Sequence, residues 1–188
     1  MTASSVVAAI WIGLFIFWLI AAAFAKQTVR RQSGPERLAQ LGLNVAAWYL
    51  LTHRLAASPQ LNGRFVPDGP ATGSIGVAIA CAGAAFTVWA RLTIGRNWSG
   101  TITVKQDHEL MTGGPYAIVR HPIYAGLLLT LLGTAVVVGE WRALAALGLA
   151  FAAWRWKSLI EERLMTEQFG DAYRDYRRRV KGLIPFVL

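Results

Sequence analysis

Five apolar stretches of roughly twenty residues, each closed by charged or turn-forming residues, set the pattern of this chain. The first, from about Ser4 to Ala25, has no charge and carries Trp11, Phe15, Phe17, Trp18 and Phe24. Lys26, Arg30, Arg31 and Arg37 follow it. The second covers about Leu38 to Ala57, with His53 and Arg54 at its far end as interfacial anchors, and a Pro- and Gly-rich loop comes next. In the third, about Thr72 to Leu92, Gly73, Gly76, Ala80 and Gly83 put small residues at helical spacing, which lets two helices approach closely. A polar connection of about thirty residues then leads to Pro122, long enough to suggest a functional loop, in which Thr101 to Val104 is a candidate extended piece. Segments four (Pro122 to about Val138) and five (about Arg142 to Ser158) form a helical hairpin around the turn Gly139-Glu140-Trp141. Beyond it, no Gly or Pro interrupts the chain until Gly170, so a cytoplasmic amphipathic helix is expected, with Phe169, Tyr173, Tyr176 and Val180 on one face.

Composition makes this a membrane pattern. The chain is 55% hydrophobic and 15% charged over 188 residues, where soluble domains carry about a quarter charged residues. The expected fold is an all-α integral membrane protein of one domain. Residues 1–92 supply three transmembrane helices and 93–188 a catalytic half: a loop (93–121), a helical hairpin (122–158) and a cytoplasmic C-terminal helix (159–188). Sixteen of the 19 basic residues fall on one side of a five-span arrangement, and only Arg54, Arg64 and Arg142 on the other. The excess of basic residues in cytoplasmic loops then places the N-terminus outside and the C-terminus in the cytoplasm. The net charge of +9 is thereby assigned to membrane topology and not to nucleic acid. MTASS has no basic run before the first span, so that span is expected to be retained. The single cysteine, Cys81, is expected to be a buried structural thiol.

Candidate chemistry gathers in Gly114 to Gly126, GPYAIVRHPIYAG. Pro122 is suited to the first position of a helix, which places His121 near the N-cap, and free N–H groups at a helix N-terminus attract carboxylates or phosphates. The hairpin brings this stretch close to Glu161 and Glu162. Neighbouring helix positions differ by about 100°, so one carboxylate is expected to point into the bundle. Plain surface charge balance at i±4 is the alternative for the pair. Arg120, His121, Tyr116 and Tyr124 with these carboxylates suit a ligand carrying both charges and an aromatic ring, which describes S-adenosylmethionine and also parts of a nicotinamide dinucleotide. A Gly-rich fingerprint after a strand, a zinc spacing and a Gly-x-Ser-x-Gly elbow are all missing from the sequence.

The same residues resemble a known family. Gly95-Arg96-Asn97-Trp98-Ser99, Leu110, Gly114-Pro115-Tyr116, Arg120-His121-Pro122-Ile123-Tyr124-Ala125-Gly126, Glu161-Glu162, Leu164, Phe169-Gly170, Tyr173, Tyr176 and Ile184-Pro185-Phe186 are similar, in order and spacing, to the isoprenylcysteine carboxyl methyltransferases and their phospholipid methyltransferase relatives, in a compact prokaryotic form. The resemblance implies a methyltransferase of the prokaryotic inner membrane, with S-adenosylmethionine entering from the cytoplasm and a lipophilic or lipid-modified substrate from the bilayer. It implies no metal. Gly114, Pro115, Tyr116, His121, Pro122, Tyr124, Glu161 and Glu162 would enclose the cofactor, one glutamate holding its amino group. Arg120 would orient a substrate carboxylate. A carboxylate acceptor is already ionised near pH 7, whereas an amine, phenol or thiol would need His121 or a glutamate as base. Membrane sterol reductases that bind NADPH are similar in this region but usually have Asn at the position of His121, and a non-catalytic scaffold is the remaining alternative.

Overall fold

In the computed structural model the described residues are 1–23, 28–31, 34–55, 57–95, 103–105 and 110–187, with backbone alone at 28–31 and 103–105. Lys26, Arg96 to Ser99 and His108 lie outside them. Among the described residues six α-helices carry the fold: α1 Ala3–Ala22, α2 Gly34–Thr52, α3 Pro70–Ile94, α4 Pro122–Val138, α5 Trp141–Phe169 and α6 Asp171–Arg179. Of the expected extended piece, Thr103 and Val104 lie in β2 (Thr103–Lys105), which pairs antiparallel with β1 (Thr28–Arg31), and Thr101 and Ile102 lie outside the described residues. Among the described residues three helices, α1, α3 and α5, are long and apolar enough to cross a membrane, and α4 is a shorter apolar helix. Their outer faces expose Ile12, Phe15, Leu19 and Ile75, the inverse of a soluble protein.

Lipid gives apolar helices no hydrophobic reason to associate, so close packing has to hold them together. The α3–α4 seam does so with small residues. A Cβ added to Gly83 would fall 2.7 Å from the Gly126 carbonyl, and one on Gly133 would fall 2.5 Å from the Gly76 carbonyl. The two backbones therefore touch, with Ala80, Thr87 and Thr130 fully buried between them. The small-residue stripe read from the sequence is this seam, although Gly73 faces Ala3 of α1 instead. Cys81 is exposed, against expectation. It follows Ala80 by one residue, about 100° around α3, which turns it away from the seam. Trp11 Nε1 donates to Thr134 Oγ1 (3.0 Å) and fixes α1 to α4.

On the other side α2 packs along α5, where Ala47 and Leu51 meet Ala143, Ala146 and Ala150. One end of the bundle is closed by charge. Arg142 donates to Glu140 Oε2 (2.6 Å) and to the carbonyls of Leu50 (2.8 Å) and Leu51 (2.6 Å), the last turn of α2. Arg54 donates to Glu140 Oε1 (2.7 Å). Orphan carbonyls at a helix C-terminus are thus matched by a guanidinium. Arg54, read as a lipid-interface anchor, is part of this clasp, and Glu140 is its centre as well as a turn residue. His53 stacks on Tyr49 at 4.8 Å.

The C-terminal helix expected over 159–188 is two pieces. α5 continues without a break to Phe169, Gly170 turns the chain at φ +53°, and α6 ends at Arg179. Positive φ suits Gly because it has no Cβ. The apolar face of α6 is as the spacing indicates, with Tyr173 and Tyr176 buried.

The seam generates a direct test. Gly83→Val should lower the stability of the detergent-purified protein by about 3 kcal/mol, because a backbone contact cannot yield as a side chain can. Gly148→Ala, on the open face of α5, should be neutral or slightly stabilising. Thermal unfolding of both variants checks this; equal behaviour would mean that the seam is not close-packed.

Candidate active site

Gly114 turns the chain into a short 3-10 helix, Gly114–Ala117, at φ +60°, with Pro115 and Tyr116 buried. His121 then stands at the N-cap of α4 and Pro122 at its first position, as the sequence indicates. This strip is pinned from the C-terminal side. The backbone N–H groups of Arg120 and His121 donate to the carbonyls of Lys181 (2.8 Å) and Gly182 (3.0 Å), and the Tyr176 hydroxyl donates to the Tyr116 carbonyl (2.6 Å). Backbone that begins α4 and backbone that follows α6 thus satisfy one another.

The α4–α5 hairpin brings the two carboxylates to this strip. Glu162 is 3% exposed. Its Oε1 accepts from Arg120 Nη2 (2.6 Å) and Nε (3.1 Å) and lies 3.2 Å from His121 Nε2. Its Oε2 is 3.4 Å from Arg177 Nε of α6. Arg120 also donates to the carbonyls of Arg177 and Val180. Glu161 has a 22% exposed side chain; it accepts from the Tyr124 hydroxyl (2.5 Å) and lies 3.4 Å from His121 Nδ1. One carboxylate, Glu162, is buried as expected and Glu161 is partly open, but both reach the same histidine. An imidazole offers nitrogens on two edges, so His121 lies between both glutamates although they are one residue apart on α5.

Ring faces complete the cluster. Tyr124 is stacked on His121 (centroids 5.7 Å apart) and on Trp154 (6.4 Å), and Lys157 Nζ lies 5.4 Å from the Tyr124 centroid. Burial pushes the His121 imidazolium down, but hydrogen bonds to Glu161 and Glu162 and their negative charge outweigh burial and hold its pKa above the ordinary value. An imidazole with a carboxylate against each ring nitrogen has neither nitrogen free to act as a base. Arg120, expected to orient a substrate, is spent on Glu162 and backbone carbonyls. Sequence reasoning missed Arg177 as a partner. The signal was the run Arg177-Arg178-Arg179 beside the buried face of α6, in reach of a carboxylate that needs cations.

A bundle of lipid-facing helices with a buried ionic cluster at one mouth of a hairpin defines the class: an intramembrane protein with a polar site at the end of its bundle. The family follows from comparison. The model of the isoprenylcysteine carboxyl methyltransferase family matches residues 76–169, half of the chain, and the chain belongs to that family. It is 31% identical over 119 residues to protein-S-isoprenylcysteine O-methyltransferase B of Arabidopsis thaliana, covering 61% of this chain and 59% of that protein. To the protein-S-isoprenylcysteine O-methyltransferase of Schizosaccharomyces pombe it is 33% identical over 112 residues, covering 57% and 47%. The chain thus spans about half the length of these relatives. A solved eukaryotic intramembrane Ras methyltransferase of the isoprenylcysteine carboxyl type, 24% identical, shares the fold at a TM-score of 0.55 over 83% of this chain and 54% of that one.

The raised pKa gives a signed prediction. A folded value above the unfolded one means that the His121 contribution to stability is full below about pH 6.5 and is lost as pH rises through the folded value. Thermal unfolding of wild type and His121→Gln between about pH 6 and 9 should therefore show their separation shrinking toward alkaline pH. A separation that does not change with pH would mean that folding leaves the imidazole pKa where it was, and one that widens toward alkaline pH that the imidazole is neutral in the folded protein.

Proposed function

We propose that the protein is a membrane-embedded methyltransferase that uses S-adenosylmethionine and acts on a lipophilic acid, an S-prenylated cysteine carboxylate being the acceptor its relatives' names suggest. The observation that carries this reading is the His121–Glu161–Glu162–Tyr124 cluster inside the family-matched region. The residues present fit the cofactor. Glu161 is the more open carboxylate and has no arginine on it among the described hydrogen bonds, so it is suited to an ammonium group. Tyr124 and Trp154 offer ring faces to a cationic or aromatic ligand. When bound, S-adenosylmethionine supplies an electrophilic methyl group on a sulfonium.

The chain's own residues then do the work of positioning, which is the main requirement of an in-line displacement. Tyr124 orients Glu161 through its hydroxyl. Arg120, Arg177 and His121 hold Glu162, so these four form the frame of the site and Glu161 its ligand-facing part. The reading that Gly114, Pro115, Tyr116 and Pro122 enclose the cofactor rests on their place in the same strip. With His121 committed to two carboxylates, an acceptor that arrives ionised suits the site better than one that needs a base.

Isothermal titration of the purified protein with S-adenosylmethionine, S-adenosylhomocysteine and NADPH tests the reading. The first two should bind and NADPH should not. Glu161→Gln should weaken cofactor binding by about tenfold or more, since it removes one partner of a charge pair. NADPH binding alone would transfer the protein to the reductases, and binding of none by folded protein would leave a scaffold.

The five-span topology belongs to the same reading, with the N-terminus outside, the C-terminus inside and the active site at the cytoplasmic face of a prokaryotic inner membrane. It is supported by the gathering of Arg54, Arg64 and Arg142 at the end of the bundle opposite Arg120 and Glu162. In a Cys81→Ser background, a cysteine at Asp68 should react with an impermeant maleimide on intact cells and one at Arg174 should not. The reverse pattern would invert the topology.

A further inference from the structure

Helix α2 buries one stripe, Gln40, Ala47 and Leu51. Ala47 and Leu51 meet the alanines of α5. Gln40 continues the stripe but is a carboxamide, 7% exposed, and its Nε2 has no hydrogen-bond partner among the described residues. A buried donor left unmatched is costly and uncommon in a native protein, so it calls for a reason. Another such atom, Thr87 Oγ1, is closed inside the α3–α4 seam, where no ligand fits.

The position of Gln40 supplies the reason. Arg142, at the start of α5, donates to the carbonyls of Leu50 and Leu51 at the end of α2, so the two helices run antiparallel. Gln40 precedes Leu51 by eleven residues. At about 1.5 Å per residue in both helices, it stands level with Ala153 and Trp154 on α5. Trp154 stacks on Tyr124, which stacks on His121 and donates to Glu161. The unmatched amide therefore stands level, along the helix axis, with the end of the aromatic stack that lies farther from the ionic cluster. A lipophilic molecule that reaches the cluster from the bilayer along α5 passes it.

We propose that Gln40 is a specificity-determining residue for the methyl acceptor, its Nε2–H donating to an oxygen of the acceptor's polar head. The assignment rests on the methyltransferase reading above. It gives the buried amide the partner that the chain itself does not provide, and it selects acceptors carrying a carbonyl or carboxylate close to their apolar tail.

The test uses the full chain in detergent with N-acetyl-S-farnesyl-L-cysteine as probe. S-adenosylhomocysteine affinity is measured first, by calorimetry, on wild type, Gln40→Leu and Gln40→Glu. It should be the same in all three, and its absence in wild type would overturn the methyltransferase reading itself. With S-adenosylhomocysteine bound, the probe should raise the unfolding temperature of wild type more than that of Gln40→Leu. The KM for the probe should rise by about three- to tenfold in Gln40→Leu, the loss of one hydrogen bond, and further in Gln40→Glu, whose carboxylate repels an acid. Cofactor-binding wild type that the probe does not stabilise, or a Leu variant with unchanged probe stabilisation and KM, would overturn the role of Gln40. A Leu variant that also loses S-adenosylhomocysteine binding would do so too, by making the amide a structural part of the cofactor site.

Discussion

A carboxylate taken out of water must be matched by cations, and Glu162 is matched from three directions. Arg120 comes from the strip before α4, His121 from the cap of α4 and Arg177 from α6. Leaving one member of such a set uncompensated costs about 3–5 kcal/mol, so the segments that carry them are not independent. This explains why a nine-residue basic helix, too short to hold itself in water, stays folded against the bundle. It also explains why the chain beyond it returns to give carbonyls to the N–H groups of Arg120 and His121. The hairpin, the site strip and the C-terminal segment are one unit because one charge is buried among them.

The same constraint divides the acidic pair by role. Glu162 faces inward and its charge is consumed, which makes it a frame. Glu161 lies one residue round the helix, reaches the same imidazole from the other edge and keeps a partly open face. A motif of two adjacent glutamates looks redundant in sequence, but here the residues differ in what they have left to offer a ligand. The histidine between them faces a carboxylate on each ring edge, and both carboxylates raise its pKa.

Much of this was legible before any coordinates. The starting point of α4 at Pro122, the hairpin, the small-residue stripe of α3 and the buried face of α6 follow from spacing and from Pro and Gly placement, all of them local effects. What the sequence hides are contacts set by tertiary approach. Arg177 and Glu162 are fifteen residues apart across a bend at Gly170, and Arg54 meets Glu140, and Arg142 the carbonyls of Leu50 and Leu51, only because α2 is laid along α5. Hydropathy does not distinguish a lipid-facing position from an interior one, since both are apolar, and so it does not reveal that Cys81 is exposed. The resemblance to the family points to the residues of the ionic cluster as well as to others along the second half of the chain.

The contact of α3 and α4 backbones sorts the apolar residues of this protein into two kinds that a hydropathy plot treats alike. Ile12, Phe15 or Leu19 meets fluid hydrocarbon, which adapts to any shape, so those positions are free to drift among large apolar residues over evolutionary time. Gly76, Gly83, Gly126 and Gly133 have no thickness to give up. A lineage of this protein moving into a thicker or thinner bilayer would rewrite α1 readily and leave the seam alone. The residues that look most replaceable, the glycines of this seam, are those in which drift is narrowest.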